Sequence, residues 1–171
     1  MSKIILILGG ARSGKSSYAV SLAKKFKKIA FVATCEGLDR EMRKRIELHK
    51  KDRPKNWKTY EEPRNVSEAI KKIDNSFDCI LIDCLTLLVS NLVLNKFNQE
   101  KIIKAIQEML VDLKKKKATV IIVSNEVGLG IVPATKLGRE FRDIAGRVNQ
   151  VVAKEADKVF FTVSGIATCI K

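Results

Sequence analysis

The chain has 171 residues, 46% hydrophobic and 30% charged, which is enough apolar material for one packed core and too much for a disordered chain. Its formal charge of +14 suits an anionic partner (nucleotide, nucleic acid or acidic surface), but the excess lies largely in runs such as Lys24, Lys25, Lys27, Lys28 and Lys114 to Lys117, which read as solvated helix ends with few aromatics beside them. No apolar run reaches membrane-spanning length, no signal-peptide pattern opens the chain, and Cys35, Cys79, Cys84 and Cys169 form no C-x-x-C pair beside a single histidine, so a cytoplasmic protein with reduced cysteines and no zinc site is expected.

Lys3 to Leu8 is an Ile-rich apolar run suited to a buried parallel strand. Gly9-Gly10-Ala11-Arg12-Ser13-Gly14-Lys15-Ser16 follows it and fits G-x-x-x-x-G-K-[ST]. Ser17 to Phe26 then carries Ala19, Leu22, Ala23 and Phe26 at helical spacing. Strand, glycine loop and helix make a phosphate cradle. Gly10 and Gly14 are expected to take backbone angles closed to other residues, turning successive N–H groups toward phosphate oxygens. The helix N-terminus adds positive potential, Lys15 reaches the β- and γ-phosphates, and the Ser16 hydroxyl is a magnesium ligand. A nucleoside triphosphate, ATP or GTP, is the predicted ligand.

A strand is predicted at Ile29 to Ala33 and a helix over Asp39 to Lys51, stopped by Pro54. That helix carries His49, three and seven residues after Ile46 and Met42. Two readings of His49 stand side by side. It belongs to a packed stripe, or it is a nucleophile kept neutral by the basic field of Arg43, Lys44, Arg45, Lys50, Lys51 and Arg53. A short strand at Trp57 to Tyr60 and a helix at Ser67 to Ile73 come next.

Phe77 to Asp83 is a strongly apolar strand ending in a carboxylate, the form of a Walker B element. It is expected to lie near the first strand and bring Asp83 to the magnesium held by Ser16; an Asp that merely caps the next helix is the plainer reading. Leu85 to Leu94 reads as a buried helix, Asn95 to Gln99 as a break, and Glu100 to Lys114 as an amphipathic helix. Ala118 to Ser124 is another apolar strand. Asn125 to Pro133 is a loop where a strand end should meet ligand, with Asn125 and Glu126 as hydrogen-bonding groups. Leu137 to Ala156 is the last helix, and Val159 to Val163 and Ile166 to Ile170 flank a Ser164-Gly165 hairpin turn. The pattern predicts a single α/β domain over residues 1–171: a mostly parallel sheet with helices on both faces and a C-terminal antiparallel strand.

The P-loop, Ala33-Thr34, Glu41-Met42, Arg45-Ile46, His49, Arg53-Pro54, Trp57, Ser124 to Pro133 and Phe141 to Gln150 together resemble the bifunctional adenosylcobinamide kinase/adenosylcobinamide-phosphate guanylyltransferase family of cobalamin biosynthesis. The resemblance runs from the first strand to the Ser-Gly hairpin and implies a P-loop NTPase fold. It implies phosphorylation of adenosylcobinamide by ATP or GTP, followed by transfer of GMP from GTP through a histidine–GMP intermediate on His49, giving adenosylcobinamide-GDP. It also implies Mg2+ at Ser16 and Asp83, nucleotide contacts from Gly9 to Ser16, Thr34, Cys35, Glu36, Lys50, Lys51, Asp52, Arg53, Glu61 and Asp83, and a homo-oligomer, a trimer by likeness. Cys35 stands where a small or polar residue is expected. The competing readings are a P-loop ATPase that binds nucleic acid and a kinase-only member with a structural His49; the leading reading needs neither nucleic acid nor membrane insertion.

Overall fold

Short apolar runs separated by helical segments fold here as they must when both faces of each strand are buried. The computed structural model describes residues 2–37, 40 and 54–171. The predicted helix at 39–51, and with it His49, Lys50, Lys51, Asp52 and Arg53, lies outside the described residues except for Arg40.

The described elements are β1 (Ile4–Gly9), α1 (Lys15–Ala23), β2 (Ile29–Ala33), β3 (Lys58–Glu61), α2 (Val66–Lys72), β4 (Cys79–Asp83), α3 (Leu85–Leu94), α4 (Gln99–Lys114), β5 (Thr119–Val123), α5 (Lys136–Glu155), β6 (Lys158–Val163) and β7 (Ile166–Cys169). The strands form one sheet in the order β3-β2-β4-β5-β1-β6-β7, parallel except for the β6–β7 hairpin. Its turn has both central residues at positive φ (Ser164 at 51° and Gly165 at 84°), the type I′ geometry that matches strand twist.

Alternation along the strands feeds two cores. Leu6, Ile80, Ile82, Val120 and Ile122 face a large cluster built with α2, α3, α4 and α5. Ile7, Leu81, Ile121 and Phe31 face the other side, covered by Ala19 and Ala23 of α1 and by Trp57, which stacks on Phe31. Residues that alternate within one strand thus serve opposite layers, and for this reason the central strands read as unbroken apolar runs.

One expectation is corrected. The first helix begins at Lys15, not Ser17, because Gly14 at φ 95° turns the chain straight from the loop into the helix. It ends at Ala23, where Lys25 and Phe26 bond only three residues back. The Walker B strand lies near the first strand, with β5 between β4 and β1 and Val123 paired with both Asp83 and Ile7. Two strand spacings, about 10 Å, therefore separate the β1 and β4 backbones.

Candidate active site

The carboxyl ends of β1, β5, β4, β2 and β3 form one row, the edge at which open α/β sheets receive ligands. Nearly all the described candidate residues lie along it. Gly9 to Ser16 leave β1, Asp83 ends β4, Thr34, Cys35 and Glu36 follow β2, and Glu61 ends β3 paired with Ala33. The row from β1 to β3 spans four strand spacings, about 19 Å, so Glu61 and the phosphate loop lie at its opposite ends.

Within the loop, Gly9 (φ 156°), Arg12 (φ 55°) and Gly14 (φ 95°) carry the positive φ angles. Gly10, expected to do so, does not; its carbonyl instead accepts a 2.5 Å hydrogen bond from Lys15 Nζ. Gly9 is glycine for lack of space, since a Cβ there would lie 2.4 Å from Thr162 Oγ1 and 2.6 Å from Ser13 Oγ. Lys15 is only 7% exposed, and its ammonium also approaches Ser13 Oγ at 3.4 Å. Burial draws the Lys15 pKa below its ordinary value, opposed by Cys84 and Asp83. Burial also pushes the Cys84 thiol up to about 12, so it is neutral near pH 7.

Around Asp83 the backbone is fixed by buried polar side chains. Thr34 Oγ1 donates to the Cys84 carbonyl at 2.6 Å and accepts from the Cys84 N–H at 2.9 Å, locking the β2 and β4 ends together. Asn91 of α3, 5% exposed, donates to the carbonyls of Thr34 and Pro63. Glu36 pairs with Arg64 at 2.7 Å. Glu62 closes the turn after β3 by accepting from the backbone N–H groups of Arg64 and Asn65, and Glu61 at the strand end is exposed.

A second buried network braces the loop after β5. Thr86 and Ser124 hydroxyls lie 3.1 Å apart, Ser124 donates to Asn149 Oδ1 at 2.7 Å, and Asn149 Nδ2 donates to the Asn125 carbonyl at 3.1 Å. The Glu126 N–H donates to Gly9 O at 2.9 Å, joining this loop to the phosphate loop. The Glu126 carboxylate, a candidate to hydrogen-bond ligand, accepts from the Gly128 N–H at 2.9 Å. Arg139, exposed near the start of α5, donates to the carbonyls of Pro133 and Ala134, and Thr135 caps the helix. Asn91 and Thr162 were not singled out from the sequence. The available signal was a polar residue on an otherwise apolar helix face or strand.

A glycine loop between β1 and α1, a buried lysine within it and a carboxylate at the end of β4 define a P-loop NTPase fold. A KaiC-like protein, PH0186 of Pyrococcus horikoshii OT3, superposes with a TM-score of 0.56 at 15% identity over 93% of this chain and 70% of that one. The RadB recombinase superposes with a TM-score of 0.54 at 16% identity over 93% of this chain and 73% of that one. These likenesses establish the fold alone.

Residues 5–170 match the family model described as cobinamide kinase / cobinamide phosphate guanyltransferase, and the chain belongs to that family. It is similar to the bifunctional adenosylcobalamin biosynthesis protein CobU of Escherichia coli K12 (39% identical over 98% of this chain and 99% of that protein) and to CobU of Salmonella typhimurium LT2 (42% over 98% and 99%). The bifunctional protein CobP of Pseudomonas aeruginosa PAO1 is 39% identical over 97% of this chain and 96% of that protein. The chain is thus a kinase and guanylyltransferase of the adenosylcobalamin branch, using nucleotide substrates. No described helix is long and apolar enough to cross a membrane.

Proposed function

We propose that this chain, acting over residues 1–171 as one cytoplasmic domain, phosphorylates adenosylcobinamide and then converts the product to adenosylcobinamide-GDP. The observation that carries the reading is Lys15, buried inside the loop between Gly10 O and Ser13 Oγ. In the kinase step the hydroxyl oxygen of cobinamide attacks the γ-phosphorus of ATP or GTP, the bond to the β-phosphate oxygen breaks, and the hydroxyl proton leaves to solvent. The N–H groups of Gly9 to Ser16 and the Lys15 ammonium bind the charge that accumulates on the transferring group.

Ser16 in the first turn of α1 and Asp83 fit Mg2+, which takes oxygen donors and keeps one or two protein ligands beside substrate phosphates. Bound there, the ion would neutralise charge between the β- and γ-phosphates. Among the described residues no cluster of three or more His, Cys, Asp or Glu forms a fuller cage, which agrees with a metal held largely by substrate.

In the second step the His49 imidazole attacks the α-phosphorus of GTP, forming a P–N bond as the bond to diphosphate breaks. A phosphate oxygen of adenosylcobinamide phosphate then attacks the same phosphorus, the P–N bond breaks, and neutral His49 is regenerated. Thr34, Cys35, Glu36, Lys50, Lys51, Asp52, Arg53 and Glu61 complete the nucleotide contacts in this reading. It rests on the family match together with the row of candidate residues along one sheet edge. A trimer, expected by likeness, is proposed as the working assembly.

The test uses GTP labelled at the α-phosphate. The native protein should retain covalent label that is stable to base and released by acid, while His49→Ala should take none and keep most of its kinase activity. Lys15→Ala should lose kinase turnover about 10³-fold. Label persisting in His49→Ala would remove that residue from the mechanism, and full kinase activity in Lys15→Ala would remove the loop.

A further inference from the structure

The phosphate loop is held from behind by the C-terminal hairpin, a part of the chain to which the two reactions assign no role. Thr162, 1% exposed, pairs in register with Gly9, and its hydroxyl donates to Leu8 O at 3.0 Å. The same oxygen lies 2.8 Å from Ser13 Oγ. A hydroxyl has one proton, so with the Thr162 proton committed to Leu8 the proton between the two hydroxyls must come from Ser13. Ser13 Oγ then has only lone pairs to offer Lys15 Nζ, 3.4 Å away. The result is a one-way chain of hydrogen bonds from the Lys15 ammonium through Ser13 and Thr162 to the Leu8 carbonyl.

The hairpin turn braces the same residue by its backbone. The Gly165 N–H donates to Ser13 O at 2.9 Å, and a Cβ on Gly14 would lie 3.0 Å from Gly165 Cα. Glycines therefore meet where the loop and the turn touch.

We propose that Thr162 is a positioning residue for nucleotide binding: by accepting from Ser13 it orients that hydroxyl as an acceptor and seats the Lys15 ammonium inside the loop. Without this acceptor the Ser13 proton is free to turn toward the ammonium, where its dipole opposes the charge. The proposal rests on reading Gly9 to Ser16 as the triphosphate cradle, and it adds that the cradle is completed by a strand about 150 positions later in the chain.

The experiment measures GTP affinity, with KM and kcat for phosphoryl transfer, in Thr162→Val, Thr162→Ser, Ser13→Ala and the Ser13→Ala/Thr162→Val double variant, with Lys15→Ala alongside. Thr162→Val should weaken GTP binding about tenfold and raise the nucleotide KM by the same factor. Thr162→Ser, which keeps the hydroxyl, should stay within twofold of the native protein. The double variant should be no worse than the weaker single one, because both break one chain. Native affinity in Thr162→Val, equal losses in Val and Ser variants, or losses that multiply in the double variant would each overturn the proposal. Should Thr162→Val not fold, Ser13→Ala keeps the test: unchanged GTP affinity in it overturns the chain. Lys15→Ala separates the two levels. If it binds GTP normally the cradle reading itself falls; if it loses binding while Thr162→Val does not, only the role of Thr162 falls.

Discussion

Two loops leave neighbouring strands at the same edge of the sheet and are treated in opposite ways. The loop from β1, Gly9 to Ser16, has little apolar material, yet Ser13 and Lys15 are buried and its bends are braced by Thr162, Gly165 and the Glu126 N–H. The stretch after β5 is anchored at its root by Asn149 and Ser124, but farther out it presents Leu129, Ile131 and Val132 to solvent, Ile131 at 95% exposure. The difference shows what each loop needs. Phosphate binding requires N–H groups and a cation at fixed positions, so the first loop is held by other elements, and a Cβ added at Gly9 or Gly14 meets one of them. The second is tied by buried polar groups to α3 and α5 at its root alone.

Gly9→Ala puts this contrast under the greatest strain. A methyl there meets Thr162 and Ser13 atoms, backbone included, at 2.6 Å or less, so a loss of both activities above 100-fold with a destabilisation of several kcal/mol is expected. Activity assays and thermal melts read this directly, and near-native values would mean the loop is slack. Asn149→Ala comes next. It strips partners from Ser124 and the Asn125 carbonyl in a buried network, for a loss of about 2–3 kcal/mol by urea denaturation. A cost below about 0.5 kcal/mol would show that the root of the second loop is not anchored as described. Ile131→Ser should change stability least, within about 0.5 kcal/mol. A larger drop would show that this side chain is packed in solution and would erase the difference between the loops.

Much of the fold was legible because its signals are local. The β4 and β5 runs, Cys79–Asp83 and Thr119–Val123, are apolar on both faces and so announce a covered parallel sheet, and Ser164-Gly165 announces a tight turn. The P-loop was legible for the same reason: its glycines, lysine and serine work within one turn of backbone. What failed was specific. Gly10 was given a conformational duty that Gly9, Arg12 and Gly14 perform. The error concerns how the loop is packed, and apolar periodicity says which faces are buried without saying by what.

The amino-acid sequence by itself determined the fold class, the phosphate-binding loop and the family, since these rest on residue types at short, fixed spacing. Only the tertiary structure decided which strand separates Asp83 from the loop, and that Thr34, Asn91 and Asn149 are interior braces. It alone brought a C-terminal hairpin against Ser13 and Gly14. The physical reason is that a buried hydroxyl or amide finds its partner through packing, and the partner of Ser13 lies 149 residues away.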